Sequence, residues 1–272
     1  IGIIIVSAAL FFNNVIYNGG YFHLVYRVLR AMDTVELFVN GVSAGTRSIP
    51  GYIAITPARS LCVGGYNTTQ GGIFHGNISN FAIWHRALDD TEIASLYSNY
   101  LLGSEPVIVS GRVLDLPVTL DNTEITDSLV YALDESGNDN HGVVTGTTLV
   151  TDYIDRGYGS YEFDGINTKH IRIPDSDTLK FDETTPVTFS FWLNLREFVP
   201  SGYIFAKYQG SGDYYGLYTL SDGKFLFLLK NSGTNYYMGL NIGIYDKLNE
   251  WTHVVIRVGR TIESNGIFLN TI

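Results

Sequence analysis

Trp251-Thr-His-Val-Val-Ile-Arg-Val-Gly-Arg260 and Tyr21-Phe-His-Leu-Val-Tyr-Arg-Val-Leu-Arg30 are two versions of one segment, 230 positions apart. In the later copy Val254, Ile256 and Val258 alternate with His253, Val255 and Arg257. In the earlier copy Phe22, Leu24, Tyr26 and Val28 alternate with His23, Val25 and Arg27. Period-two alternation places the apolar set on one face of an extended chain, the pattern of a strand with one side in a core. The likeness runs without a gap through Asn40 and Asn270. Across 21–42 and 251–272, seven of 22 positions are identical: His23, Val25, Arg27, Val28, Arg30, Phe38 and Asn40 in the first copy. Such internal similarity marks a duplicated architecture.

The same alternation extends outward. Val35-Glu-Leu-Phe-Val-Asn-Gly41 reads as the next strand of a hairpin, closing on an Asn-Gly turn. Val187-Thr-Phe-Ser-Phe-Trp-Leu-Asn-Leu195 sets Val187, Phe189, Phe191, Leu193 and Leu195 on one face, and Leu217–Leu229 reads as a hairpin around Asp222-Gly223. One short helix is expected at Asp89–Tyr97, with acidic residues in its first turn and Ile93, Leu96 and Tyr97 on a shared face. Residues 101–119, punctuated by Gly103, Pro106, Gly111 and Pro117, read as a connector with a strand at Val107–Val109.

The apolar start, Ile1 to Phe12, is too short to span a bilayer and lacks the basic flank and cleavage site of a signal peptide, so a buried strand is expected there, with a targeting remnant as the alternative. The first residue is not Met, as expected of a sequence beginning partway through a longer gene product.

Composition agrees with an all-β chain. Of 272 residues 45% are hydrophobic and 16% charged, with 19 Tyr, 15 Phe and 29 Gly. That balance suits short strands joined by many turns. The formal net charge is −10 and basic residues are scattered, which argues against nucleic acid, whose binding needs a neutralising Lys/Arg surface. A single cysteine, Cys62, excludes an intrachain disulfide framework.

Several runs, taken in order, resemble laminin-G-like domains of the concanavalin A-like lectin/glucanase superfamily. Leu129-Val-Tyr-Ala-Leu-Asp-Glu-Ser-Gly-Asn-Asp-Asn-His-Gly142, Tyr161-Glu-Phe-Asp-Gly-Ile-Asn167 and Ile171–Leu179 are similar to the opening of such a domain. The Phe-Ser-Phe-Trp-Leu strand and Leu248-Asn-Glu-Trp-Thr-His-Val-Val255 follow them. Val35–Gly41, Gly76-Asn-Ile-Ser-Asn-Phe-Ala-Ile-Trp84 and Arg86–Ile93 are similar to the closing half. The resemblance implies an antiparallel two-sheet jelly-roll β-sandwich. Here the closing half comes first. Residues 1–100 therefore read as the C-terminal part of one domain and 120–272 as the N-terminal part of a second, with 101–119 between them. Three accounts stay open: a longer chain of tandem repeats, strands exchanged between copies, and a permuted sandwich closed within the chain.

No catalytic residues are expected. Glycosidases of this superfamily carry a Glu-x-Asp-x-x-Glu-like strand, and no such run occurs; the nearest acidic clusters, Asp152/Asp155 and Asp175/Asp177, lie in loop-like sequence. His23 and His253 read as strand histidines bonded to a neighbour.

The candidate metal site is Asp134-Glu-Ser-Gly-Asn-Asp-Asn-His-Gly142, where Asp134, Asn138 and Asn140 offer oxygen ligands of the kind Ca²⁺ takes and Gly137 permits a tight turn. The alternative is a turn satisfied by its own hydrogen bonds. The resemblance implies a calcium near this loop with a further ligand from the closing half. At the matching position this chain has Ser79, where relatives commonly have Asp.

Candidate ligand residues are Tyr203, Tyr208, Tyr214, Tyr215, Tyr236 and Tyr237, whose rings suit stacking on sugars. Asn67 and Asn77 fit the N-glycosylation acceptor pattern. The expectation is a non-enzymatic structural or adhesive module of an extracellular, cell-surface or virion-surface assembly. The alternative is a carbohydrate-binding module of a larger secreted or virion protein. Its partners are then copies of itself, neighbouring domains of the same polypeptide, or glycans, with no membrane span.

Overall fold

The computed structural model describes residues 9–10, 22–27, 34–39, 42–48, 57–65, 74–101, 108–117, 123–126, 129–151, 159–166, 169–181, 185–208, 212–220, 224–231, 234–240 and 248–258. In chain order the first strands are β1 (Ala9–Leu10), β2 (Phe22–Arg27), β3 (Thr34–Val39), β4 (Val42–Ser48), β5 (Leu61–Val63) and β6 (His75–Trp84). Helix α1 (Asp90–Leu101) precedes β7 (Arg112–Leu116), β8 (Thr123–Thr126), β9 (Leu129–Ala132), β10 (Gly142–Thr145) and β11 (Thr148–Thr151). Then come β12 (Gly159–Asp164), β13 (His170–Ile173), β14 (Val187–Leu195), β15 (Tyr203–Tyr208), β16 (Tyr214–Thr219), β17 (Phe225–Asn231), β18 (Thr234–Leu240) and β19 (Trp251–Val258).

They form two sheets. The first runs β1-β18-β17-β16-β15-β5-β13-β10-β9-β8; the second runs β11-β12-β6-β14-β19-β2-β3-β4, with β7 also on β6. Pairing is antiparallel except at β1–β18 and β19–β2. This is the all-β sandwich that the alternation implies.

Both sheets draw on both halves of the chain. β6 lies between β12 and β14, and β5 lies between β13 and β15. Strands from 1–100 and from 120–272 are thus interleaved in each sheet. β3 and β4 pair with Val39 opposite Val42, leaving Asn40-Gly41 as the two-residue connection.

β14 explains the core. Val187, Phe189, Phe191, Leu193 and Leu195 point inward and are buried with Val254 and Ile256 of β19 and Leu61, Val63, Phe205, Leu217 and Phe227 of the facing sheet. Phe189 meets Phe205 at 5.1 Å and Phe81 meets Phe205 at 5.2 Å between ring centroids, so aromatic edges and faces bridge the layers.

On β6 the inward residues are Ile78, then Phe81 and Ile83, a step of three that strict alternation forbids. The register between β6 and β14 shifts at this point, and Asn80 takes φ 50°. This β-bulge turns the rest of the strand over, so Phe81 enters the core and Trp84 faces out.

α1 covers the outward face of the second sheet. Leu88, Ile93, Leu96 and Tyr97 pack on Trp84, Trp192 and Val255. Its start is a reciprocal cap: Glu92 N–H donates to Asp89 Oδ1 (2.8 Å), and Asp89 N–H donates to Glu92 Oε2 (2.9 Å). Arg86 grips Glu92 with two 2.6 Å bonds. The helix runs past the expected end at Tyr97 to Leu101.

The strand expected at Val107–Val109 is corrected to β7. Ile108 gives its carbonyl to Trp84 Nε1 at 2.8 Å, and Val109 opens a turn closed by Arg112 N–H, with Gly111 at φ 72°. Only beyond that turn do Leu114 and Leu116 reach the core, opposite Ile83 and Phe81. The Asp222-Gly223 turn lies outside the described residues, as does most of Ile1–Phe12; Ala9–Leu10 pair with β18.

Candidate functional site

The outward face of the first sheet gathers tyrosines from two adjacent strands. Tyr203 and Tyr208 of β15 and Tyr214 and Tyr218 of β16 pack with Ala206 and Leu228. Ring centroids stand 4.9 Å apart for Tyr203–Tyr218, 5.2 Å for Tyr208–Tyr214 and 6.4 Å for Tyr203–Tyr214. Tyr203, Tyr208 and Tyr218 are half-buried, while Tyr214 between them is buried.

Three of the six candidate tyrosines therefore come together, and Tyr218, which the sequence reading missed, completes the set. Its signal was parity, since Tyr214, Gly216 and Tyr218 share one side of β16. Tyr215 does not join them. It points into the core, donates to the Leu179 carbonyl at 3.1 Å, and burial followed by the negative charge of Asp175 holds its phenol well above the usual range. Tyr236 and Tyr237 fall on β18, with side chains outside the described set.

The loop after β9 is stitched through Asp134. Its Oδ1 accepts from the N–H groups of Asp115 (2.8 Å) and Ser136 (3.0 Å), and its Oδ2 accepts from the Ser136 hydroxyl (2.8 Å) and Asn140 N–H (2.9 Å). Asn138 Nδ2 donates to the Arg112 carbonyl, and Asn140 Nδ2 donates to the Val113 carbonyl and Thr178 Oγ1. The loop thereby ties β7 of one sheet to β9 and β10 of the other. Four donors aimed at one carboxylate occupy the lone pairs a cation needs, so Ca²⁺ at Asp134 requires those bonds to be given up. Ser79 directs its hydroxyl to Asn80 Oδ1 and the Gly159 carbonyl.

His253 is fully buried, on the face of the sheet that carries Trp192 and Val255. It stacks on Trp192 at 4.9 Å, and its Nε2 lies 2.6 Å from Ser190 Oγ. That distance is within reach of a nucleophile–base pair. Both groups are buried, and the hydrogen bond satisfies polar atoms in a dry layer. Burial holds the imidazole well below its ordinary pKa.

Asp175 and Asp177 are held by lysines. Lys207, buried on the core side of β15, bonds Asp175 Oδ1 and the Arg59 carbonyl, and Lys180 bonds Asp177 at 2.7 Å. Burial lowers the Lys207 pKa against the pull of Asp175. Burial works against the Asp175 charge, yet the bonds and charges of Lys207 and Lys180 leave its carboxyl below the usual range. Asp152 and Asp155 lie outside the described residues.

Of the two acceptor asparagines, Asn67 lies outside the described residues. Asn77 is 4% exposed in the middle of β6, and its Nδ2 donates to Ser160 Oγ at 3.2 Å. The folded strand gives a glycan no room on that nitrogen.

A twin-sheet sandwich with tyrosines on the outer face of one sheet and a helix on the other fits a lectin-like or adhesive module in general terms. The chain belongs to the laminin-G-type family of the concanavalin A-like lectin/glucanases superfamily, whose family model matches residues 13–94 and 164–269. No curated protein and no solved structure matches the chain. The superfamily is largely non-catalytic and includes some glycosidases. Among the described residues, no helix is long and apolar enough to cross a membrane.

Proposed function

We propose that the chain is a non-catalytic structural and adhesive module of an extracellular assembly, a fibre, coat or appendage at a cell or virion surface. The tyrosine face carries this reading. Aromatic side chains with two torsions offer large, amphipathic contact area at low entropic cost, and Tyr203, Tyr208 and Tyr218, packed on the buried Tyr214, mount it on a sheet braced by the core. α1 occupies the outer face of the other sheet, which directs contact to the first. Partners of this kind are further copies or neighbouring domains of the same polypeptide. The test is adhesion and polymer formation by the purified chain, compared with Tyr203→Ala/Tyr218→Ala. Loss of adhesion with an unchanged melting temperature supports the reading; undiminished adhesion overturns the assignment to this face.

The same rings favour a second reading, a carbohydrate-binding module of a larger secreted or virion protein, since half-buried tyrosines stack on sugar faces. A glycan array separates the two. A defined sugar lost in the double variant supports carbohydrate binding; silence with ordered polymers supports the structural role. Calcium at Asp134, Asn138 and Asn140 belongs to either reading as a proposal, at the cost of the loop's own hydrogen bonds.

A further inference from the structure

We infer that β19 is an exchangeable strand, which can leave its place against β14 and enter the equivalent place in a second copy of this chain while β2 covers the vacancy. The inference deepens the assembly reading above, but it stands on strand register and sequence alone.

β3 is register-paired with both copies of the repeat. Leu37 is the register partner of Tyr26 in β2 and of Ile256 in β19, and Glu36 is the partner of Arg27 and of Arg257. Tyr26 and Ile256, like Arg27 and Arg257, are the same positions of the 230-residue repeat. β2 and β19 lie parallel beside each other with Phe22, His23 and Leu24 opposite Thr252, His253 and Val254, again repeat-equivalent pairs. Parallel pairing is slightly the weaker kind.

β14 needs a strand on this side. Eight of its residues, Val187 to Asn194, pair with β19, and a departing β19 bares Phe189, Phe191 and Leu193. β2 fits that gap by sequence. In the same register it brings His23 for His253 and Val25 for Val255, unchanged, with Leu24 for Val254 and Tyr26 for Ile256. The last two swaps also explain why β19 holds the place at rest. Val254 and Ile256 have 0% exposure, and a larger Leu and a phenol there overpack the core. β2 is thus an adequate stand-in and an inferior occupant. A copy that donates its β19 and receives a neighbour's has the same pairings restored, so β2 covers β14 only in a copy that has donated and not received.

The test uses the full-length chain with Cys62→Ala, Phe22→Cys and Thr252→Cys, which places one thiol on each strand at a register pair. Samples are incubated over a range of concentrations, oxidised and run without reductant. Exchange is expected to give disulfide-linked dimers and a ladder whose share rises with concentration; intramolecular disulfides alone at every concentration overturn it. A second arm, free of cysteines at the strands, mixes two fluorophore-labelled pools and follows energy transfer. Leu24→Val/Tyr26→Ile, which makes β2 a closer match to β19, is expected to speed mixing several-fold; no mixing in either chain overturns the inference. Adhesion is not a readout in either arm, so failure of the surface role and failure of strand exchange remain distinguishable.

Discussion

His23 and His253, equivalent residues of the two repeat copies, stand directly opposite each other in the parallel pair β2–β19. Within the described residues the two copies lie as neighbouring strands of one sheet.

Stability is expected to fall with acid because of His253. The unfolded chain takes up a proton near the usual 6.5, while the buried imidazole resists it until well below. Its contribution is complete above about pH 6.5 and is lost as pH drops, at up to about 1.4 kcal/mol per pH unit for one proton. Urea midpoints at pH 7 and pH 5 measure this, and His253→Phe is expected to flatten the difference.

Asp175→Ala is expected to cost more than Lys207→Met. Removing the carboxylate strands a lysine whose side chain is 0% exposed, whereas removing the lysine leaves Asp175, 33% exposed, within reach of water. The first loss is about 2–3 kcal/mol, below the range for fully buried pairs because of that exposure, and the second is smaller. Denaturation of both variants checks the order.

Asp134→Ala is expected to destabilise by about 3 kcal/mol, since four donors lose one shared acceptor. Chelator is expected to leave the melting temperature of the unaltered chain in place. A rise with millimolar calcium that chelator reverses would establish the ion instead.

Asn80→Val is expected to cost at least about 1–2 kcal/mol, because a β-branched residue is forced into the left-handed region. Asn80→Gly accepts that backbone and loses only the 2.6 Å bond from Ser79. Thermal melts of the two variants separate backbone strain from the side-chain bond.

Much of the candidate site was legible one strand at a time. Alternation separates Tyr214 from Tyr215, and it also places the buried Lys207 on the side of Phe205. Asn80 was not legible, since a bulge appears only when two strands are laid in register.

By itself the sequence determined the all-β class, the inward face of Val187–Leu195, the start of α1 and the 230-residue duplication. Each of these rests on spacing along one segment, where period-two or helical burial is a local property of the chain. Only the tertiary structure decided that β6 sits between β12 and β14, that four tyrosines share one face, that His253 is buried, and that β19 rather than β2 lies on β14. Those outcomes turn on which distant edges pair and in what register. For two repeat-equivalent strands that choice depends on the rest of the sheet, which no pattern within either strand expresses.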